Sequence, residues 1–269
     1  MTFWDHVDEL RLRALRAVGA IILTGVFWFL NPEILFDRIV LAPLFPDFPM
    51  YRWLCQLGSW AGISTNFCFE GTLLKITNIR LSGQFVQHII LAVSAGLITA
   101  FPYVLWQIWG FVRPGLKENE AHWGRVFMWG GSLLFFLGIL FGYFVLVPIA
   151  VQFLAHYRVS EHVHNIITLQ SYVSTTSGMV LATAAVFELP IVVYTLTRMG
   201  MITANSLRTY RRHAIVIILI LAAALTPPDV MSQVLLFLPF FMLYEISIGI
   251  ARRAQPDMYP DEPNDLSSS

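Results

Sequence analysis

The sequence predicts an all-α, polytopic integral membrane protein of six transmembrane helices with both termini in the cytoplasm. Three observations predict it. The 269 residues are 57% hydrophobic and only 13% charged, against about a quarter charged in ordinary soluble domains. The apolar residues gather into six runs, most of them long enough to cross a hydrocarbon core of ~30 Å at ~1.5 Å per residue. Lys and Arg fall unevenly on alternate connections, twelve on one face and five on the other, and the richer face is the cytoplasmic one. Seventeen basic residues balance seventeen acidic ones, so overall electrostatics give no reason to expect a nucleic-acid partner.

Residues 1–15 open the chain as a cytoplasmic amphipathic helix. Phe3, Val7, Leu10 and Ala14 share one helical face, Asp5, Asp8 and Glu9 lie elsewhere, and Thr2 is placed to cap it. The apolar run that follows has no small-residue cleavage site and reads as a retained span. A membrane domain covers 16–250, with spans expected at 16–36, 85–108, 123–149, 171–197, 213–226 and 230–250. The fifth is barely long enough to cross. Leu225-Thr226-Pro227-Pro228-Asp229 is a turn signal between two apolar runs, so spans five and six form a tight helical hairpin. Such a short hairpin implies local thinning of the bilayer or shielding by longer neighbours.

The first outer connection, about 37–84, is too long for a simple link. Pro43, Pro46 and Pro49 break it early, Leu73 to Leu81 suit either an extended or a helical segment, and an ordered outer cap is expected. Cys55 and Cys68 both fall in it and would be able to bridge in an oxidising compartment. Residues 251–269, rich in Pro, Asp and Ser, read as a disordered cytoplasmic tail.

Few residues stand out as carriers of chemistry. Glu9 is spaced to pair with Arg13 one helical turn on, and the connection from Phe111 to Glu120 places carboxylates and cations beside an aromatic ring. A solvated helix face and a solvated turn are the plain readings of both. Taken together, Glu9 and Glu120 share the cytoplasmic face, where separated carboxylates would each engage a guanidinium. A basic peptide suits such a face. Glu188 lies inside span four in Phe187-Glu188-Leu189-Pro190, where a carboxylate is costly and marks a functional candidate, and Pro190 predicts a kink. Thr226 and Gln233 flank the hairpin turn and would hydrogen-bond either a partner helix or the bundle itself. Glu245 is expected to pair with a nearby cation such as Arg252 or Arg253, or to reach interface water. His162-Val163-His164 has no third ligand nearby and is not read as a metal site, the chain carries no phosphate-binding G-x-x-x-x-G-K-[ST] loop, and neither cofactor nor catalytic residue is expected.

Several landmarks together resemble the TatC family of twin-arginine translocase subunits. They are Phe3-Trp4-Asp5-His6-Val7-Asp8-Glu9-Leu10-Arg11, Phe101-Pro102, Trp109-Gly110-Phe111-Val112-Arg113-Pro114-Gly115-Leu116, Glu120, Tyr143-Phe144 with Pro148, Phe187-Glu188-Leu189-Pro190, and Leu225-Thr226-Pro227-Pro228-Asp229-Val230 with Ser232-Gln233. The resemblance implies the core receptor of a machine in the bacterial inner membrane that exports folded proteins using the proton gradient. It implies that Glu9 and Glu120, with Phe111, Arg11 and Arg13 nearby, receive the twin arginines of a signal peptide. It further implies that Glu188 faces a membrane concavity and that Thr226 and Gln233 dock TatA-like or TatB-like single-helix subunits. A homo-oligomer within a receptor complex is expected. The outer connection, from Trp53 to Glu70 above all, is longer than in the plainest members. A competing reading makes Glu188 the titrating carrier of a proton-coupled small-solute transporter, which would need a polar path to both faces.

Overall fold

The computed structural model describes residues 3–45, 47–51, 76–112, 124–157, 160, 162, 166–226 and 230–254. The cysteines, Glu120 and residues 255–269 lie outside them, while 251–254, expected to belong to the tail, continue the last helix. Helix α1 (Phe3–Phe29) joins the amphipathic segment and the first span without interruption. It ends seven residues before the expected boundary at 36, because Pro32 has no N–H to continue the ladder and biases Asn31 away from helical geometry. Asn31 Nδ2 instead donates to the carbonyl of Phe27 at 2.7 Å and covers a helix-end acceptor.

Beyond it a π-helical turn, Glu33–Val40, and a 3₁₀ turn, Ala42–Leu44, begin the outer cap. Span two is α2 (Gly83–Val112). Span three is α3 (Gly124–Phe141), a π turn at Gly142–Leu146 and α4 (Val147–His156). Pro148 cannot donate into the turn before it, and the wider π register accommodates the missing bond. Span four is α5 (Leu169–Phe187) followed by α6 (Leu189–Arg198), bent where Pro190 was expected to bend it. A short α7 (Ala204–Thr209) leads into α8 (Arg211–Leu225) and α9 (Val230–Ala254), the hairpin of spans five and six. Five of these spans are long and apolar enough to cross a membrane by length alone. The sixth, α8, has 15 residues.

The expected outer cap is ordered where it is described. Ile76–Thr77 (β1) pairs in parallel with Ile167–Thr168 (β2), Ile76 opposite Ile167, so within the stretch from 73 to 81 these two residues are extended and 78–81 form a loop and turn. Tyrosines from two spans hold the π turn. The hydroxyl of Tyr143 donates to the carbonyl of Ile39 and that of Tyr172 to Val40, each at 2.6 Å. Tyr51 does the same for Pro43. Burial pushes the Tyr51 phenol above its ordinary pKa, a hydrogen bond with Gln152 acting the other way, and it stays a neutral donor. Carbonyls left unpaired at the end of an irregular turn thereby find partners inside the protein.

Packing then sets the spans against one another. Helix α1 lies on α2 through two glycines: a Cβ on Gly96 would stand 2.7 Å from Gly25 N and 2.8 Å from Gly25 Cα. The Thr24 hydroxyl is shared between the carbonyls of Ala20 and Gly96, 2.9 Å from each. Small residues permit this approach, as they do wherever lipid offers no hydrophobic drive. An outer core gathers Leu35, Leu91, Val147, Tyr172 and Val173. An inner core gathers Leu105, Trp109, Phe127, Ile191 and Tyr194, and a third holds the hairpin through Leu146, Ile218, Ala222, Leu236 and Phe240.

Candidate functional site

One mouth of the bundle is built by the start of α1 and the end of α2. Arg13 Nε and Nη2 both donate to Glu9 Oε1, at 2.9 and 2.6 Å. The plain reading of this spacing is therefore realised. The side chains are 23% and 27% exposed, and a one-turn pair so wetted is worth only a few tenths of a kcal/mol. Glu9 Oε2 is buried and has no hydrogen-bond partner among the described residues.

The guanidinium of Arg13 lies over Gly110, where an added Cβ would stand 1.8 Å from Nη1. A larger residue at 110 would push the Arg13 guanidinium aside. The pair is thus laid against the end of α2 next to the half-buried Phe111, whereas Arg11 is exposed on another face of α1. Glu120 lies in the undescribed connection 113–123. Both ends of that connection are anchored close together. A Cβ on Gly124 would meet Trp109 Nε1 at 2.3 Å, and the Trp109 and Phe127 rings stand 5.1 Å apart.

Sequence reasoning passed over Gly110 and Gly124 as positions in their own right. Glycine inside a helix costs about 1 kcal/mol relative to alanine, but Gly19, Gly178 and Gly249 also lie in helices with nothing near an added Cβ, so glycine alone did not single these two out.

Glu188 sits at the bend of span four. Its N–H reaches the carbonyl of Ala185 at 3.2 Å, and its own carbonyl accepts from Ile191 and Val192 at 3.0 Å each. Pro190 removes the donor that would have continued the ladder, and the bend follows. The residue is only 8% exposed, yet neither carboxylate oxygen has a hydrogen-bond partner among the described residues. The wall opposite is Gly131, whose added Cβ would be 3.2 Å from Glu188 Oε2 and 2.8 Å from Leu105 Cδ1. A carboxylate at hydrocarbon depth without a cation is an expensive arrangement.

The hairpin polar groups turn toward the hairpin. Thr226 Oγ1 is buried and donates to the carbonyl of Ala222 one turn back at 2.8 Å. Gln233 Nε2 points at the carbonyl of Leu219 across the hairpin, at 3.5 Å. Glu245 differs from expectation. Its partner is Arg211, at 2.6 Å on the neighbouring helix, not Arg252 or Arg253. Those two lie roughly two turns further along α9, about 10–12 Å by helical rise, while antiparallel packing brings the start of α8 alongside.

Six helical spans, a cap at one end and an acid-bearing mouth at the other define a multi-pass membrane protein. The family model described as "Sec-independent protein translocase protein (TatC)" matches residues 5–239. A TatC of Blattabacterium (Periplaneta americana) is 35% identical over 93% of this chain and 95% of its own length. One from Carboxydothermus hydrogenoformans is 32% identical over 97% of each. The crystal structure of a twin-arginine translocase receptor TatC superposes with a TM-score of 0.70 at 28% identity, covering 93% of this chain and 99% of that one. The chain belongs to the TatC family.

Proposed function

We propose that this chain is the signal-peptide receptor of a twin-arginine translocase, a binding and scaffolding subunit without catalytic activity. Folded passengers carrying paired arginines are its ligands, and the proton gradient across a bacterial inner membrane drives their export. The charge bias of the connections supports cytoplasmic termini, which sets Glu9 and Glu120 on the passenger side. The observation that carries the reading is Glu9 Oε2, a buried carboxylate oxygen without a hydrogen-bond partner among the described residues, on a pair whose Arg13 guanidinium lies over Gly110 at the end of α2.

An incoming guanidinium takes that oxygen, or displaces Arg13 from a pair worth only a few tenths of a kcal/mol. Charge-assisted contacts to two carboxylates then distinguish an arginine pair from a single lysine. Glu188 serves the membrane-facing part of the cycle. Gly131, Leu105 and Ile191 stand near its carboxylate, and the apolar side chains among them favour a local role for Glu188 over that of a transporter's titrating carrier. Thr226 and Gln233 mark the hairpin as the dock for TatA-like and TatB-like helices.

The test is crosslinking of a twin-arginine peptide to membranes carrying Glu9→Ala with Glu120→Ala. Capture falls at least tenfold on this reading. Undiminished capture by the double variant removes the receptor site from this face.

A further inference from the structure

Six arginines and one carboxylate, Glu245, are found among the described residues from Leu189 to Ala254. Packing of α7 and α8 against α9 brings Arg208, Arg211, Arg212 and Arg253 to neighbouring ends of these helices. The hydroxyl of Tyr244 on α9 donates to the carbonyl of Leu207 on α7 at 2.7 Å. Ala204 of α7 is buried with Val193 and Ala251, and Arg211 at the start of α8 pairs with Glu245. Arg208, Arg212 and Arg253 therefore ring the junction of α7, α8 and α9, each exposed. Glu245 is committed to Arg211 and supplies them no counter-charge.

Two further features say what surrounds this cluster. Tyr210 and Met201 beside it are 61% and 67% exposed, the amphipathic and apolar contacts expected at a headgroup boundary. Helix α8 has 15 residues, about 22 Å at ~1.5 Å per residue against a ~30 Å core. Its first two residues are Arg211 and Arg212. These guanidiniums start the span at a depth where long side chains must reach outward or headgroups must come inward.

We propose that the α7–α8–α9 junction binds the phosphate headgroups of anionic phospholipids in the cytoplasmic leaflet. The inference rests on the cytoplasmic placement of this face proposed above. Arg208, Arg212 and Arg253 hold the phosphodiesters by charge-assisted hydrogen bonds, and Tyr210 and Met201 lie along the glycerol and upper acyl region. Lipids so held follow the short helix inward.

Purified full-length protein in neutral detergent is titrated with phosphatidylglycerol, phosphatidylcholine or inorganic phosphate, and apparent affinity is read from the shift in thermal unfolding. Phosphatidylglycerol should stabilise it, while inorganic phosphate and phosphatidylcholine do little. Arg208→Gln, Arg212→Gln and Arg253→Gln together should weaken phosphatidylglycerol roughly a hundredfold, at about fivefold per guanidinium near an anionic headgroup. The triple Lys variant should keep most of the binding. Circular dichroism checks the fold, and single substitutions carry the comparison if the triple Gln variant fails that check.

Equal binding by wild type and the Gln variants overturns the proposal, as does equal stabilisation by phosphatidylcholine. Binding that emerges only when residues 255–269, with their four carboxylates, are deleted assigns the arginines to the tail and also overturns it. Labelling of Asn205→Cys, in a background where Cys55 and Cys68 are replaced by Ser, in intact cells with an impermeant thiol reagent tests the placement separately. Labelling from outside would sink the orientation while leaving the phosphate chemistry measurable.

Discussion

Glu188 presents an energetic contradiction that stability measurements can read. Its carboxyl group is buried at hydrocarbon depth with both oxygens unpartnered among the described residues, a state that costs roughly 1–3 kcal/mol relative to an apolar side chain. Replacement by leucine should therefore stabilise the protein by about that amount, raising Tm by several degrees for a chain of this size. Export of a folded reporter should fall in the same variant if the acid is retained for function rather than for the fold. Thermal unfolding in detergent and an export assay make the comparison, and a clearly destabilised Glu188→Leu would mean that the carboxyl holds the bend together. The sequence exposed Glu188 because a charge in an apolar run is visible without a structure. It did not expose Gly131, the wall that Glu188 Oε2 approaches, since proximity across helices leaves no mark in local spacing. For Glu245 a cation partner was foreseen, but nearness along α9 favoured Arg252 and Arg253, and only packing reveals Arg211.

Helix α1 depends on one narrow crossing for its place in the bundle. Much of its surface faces outward, with Leu15, Ile22, Leu23 and Phe27 all more than half exposed, and the Gly25–Gly96 contact with Thr24 is where it meets α2 most closely. Gly96→Ala would place a methyl group 2.7 Å from a backbone nitrogen, which no rotamer change relieves. It should cost about 1–3 kcal/mol through overpacking. Thr24→Val, which removes only the hydroxyl, should cost about 0.6 kcal/mol. Denaturation of both variants in detergent, with crosslinking between cysteines placed on α1 and α2, separates lost helix contact from lost global stability. The sixfold pattern of spans was readable because lipid forces long apolar runs. Their ends were less so. The first stopped at Phe29 because of Pro32, and the third continued to His156 through a π turn, both being matters of backbone hydrogen bonding that hydropathy does not see. The outer cap was foreseen as ordered, but its tyrosine clamps join residues about a hundred positions apart.

The bundle as a body in the bilayer is uneven in height. Helix α2 has 30 residues and α8 has 15, roughly 45 and 22 Å of helix at ~1.5 Å per residue, so one side overreaches a ~30 Å core while the other falls ~8 Å short of it. Tilting relieves the long helices. The hairpin has no such remedy, because α8 is tied to α9 through Ile218, Ala222, Leu236 and Phe240 and anchored at its start by Arg211 on Glu245. Lipid must therefore thin along this edge, at a fraction of a kcal/mol per ångström of mismatch. Across ~8 Å this sums to a few kcal/mol, enough to be measured. Reconstituted into bilayers of increasing acyl length, the protein should reach its highest Tm in a bilayer thinner than the long helices alone would select, and lose stability steadily as thickness grows. Inserting one apolar helical turn into α8, and a matching one into α9, should move that optimum to thicker bilayers. If thinning at this edge also helps passengers to cross, the lengthened variant should bind signal peptide normally yet export poorly. An unchanged thickness optimum would instead mean that neighbouring subunits, not lipid, cover the short hairpin.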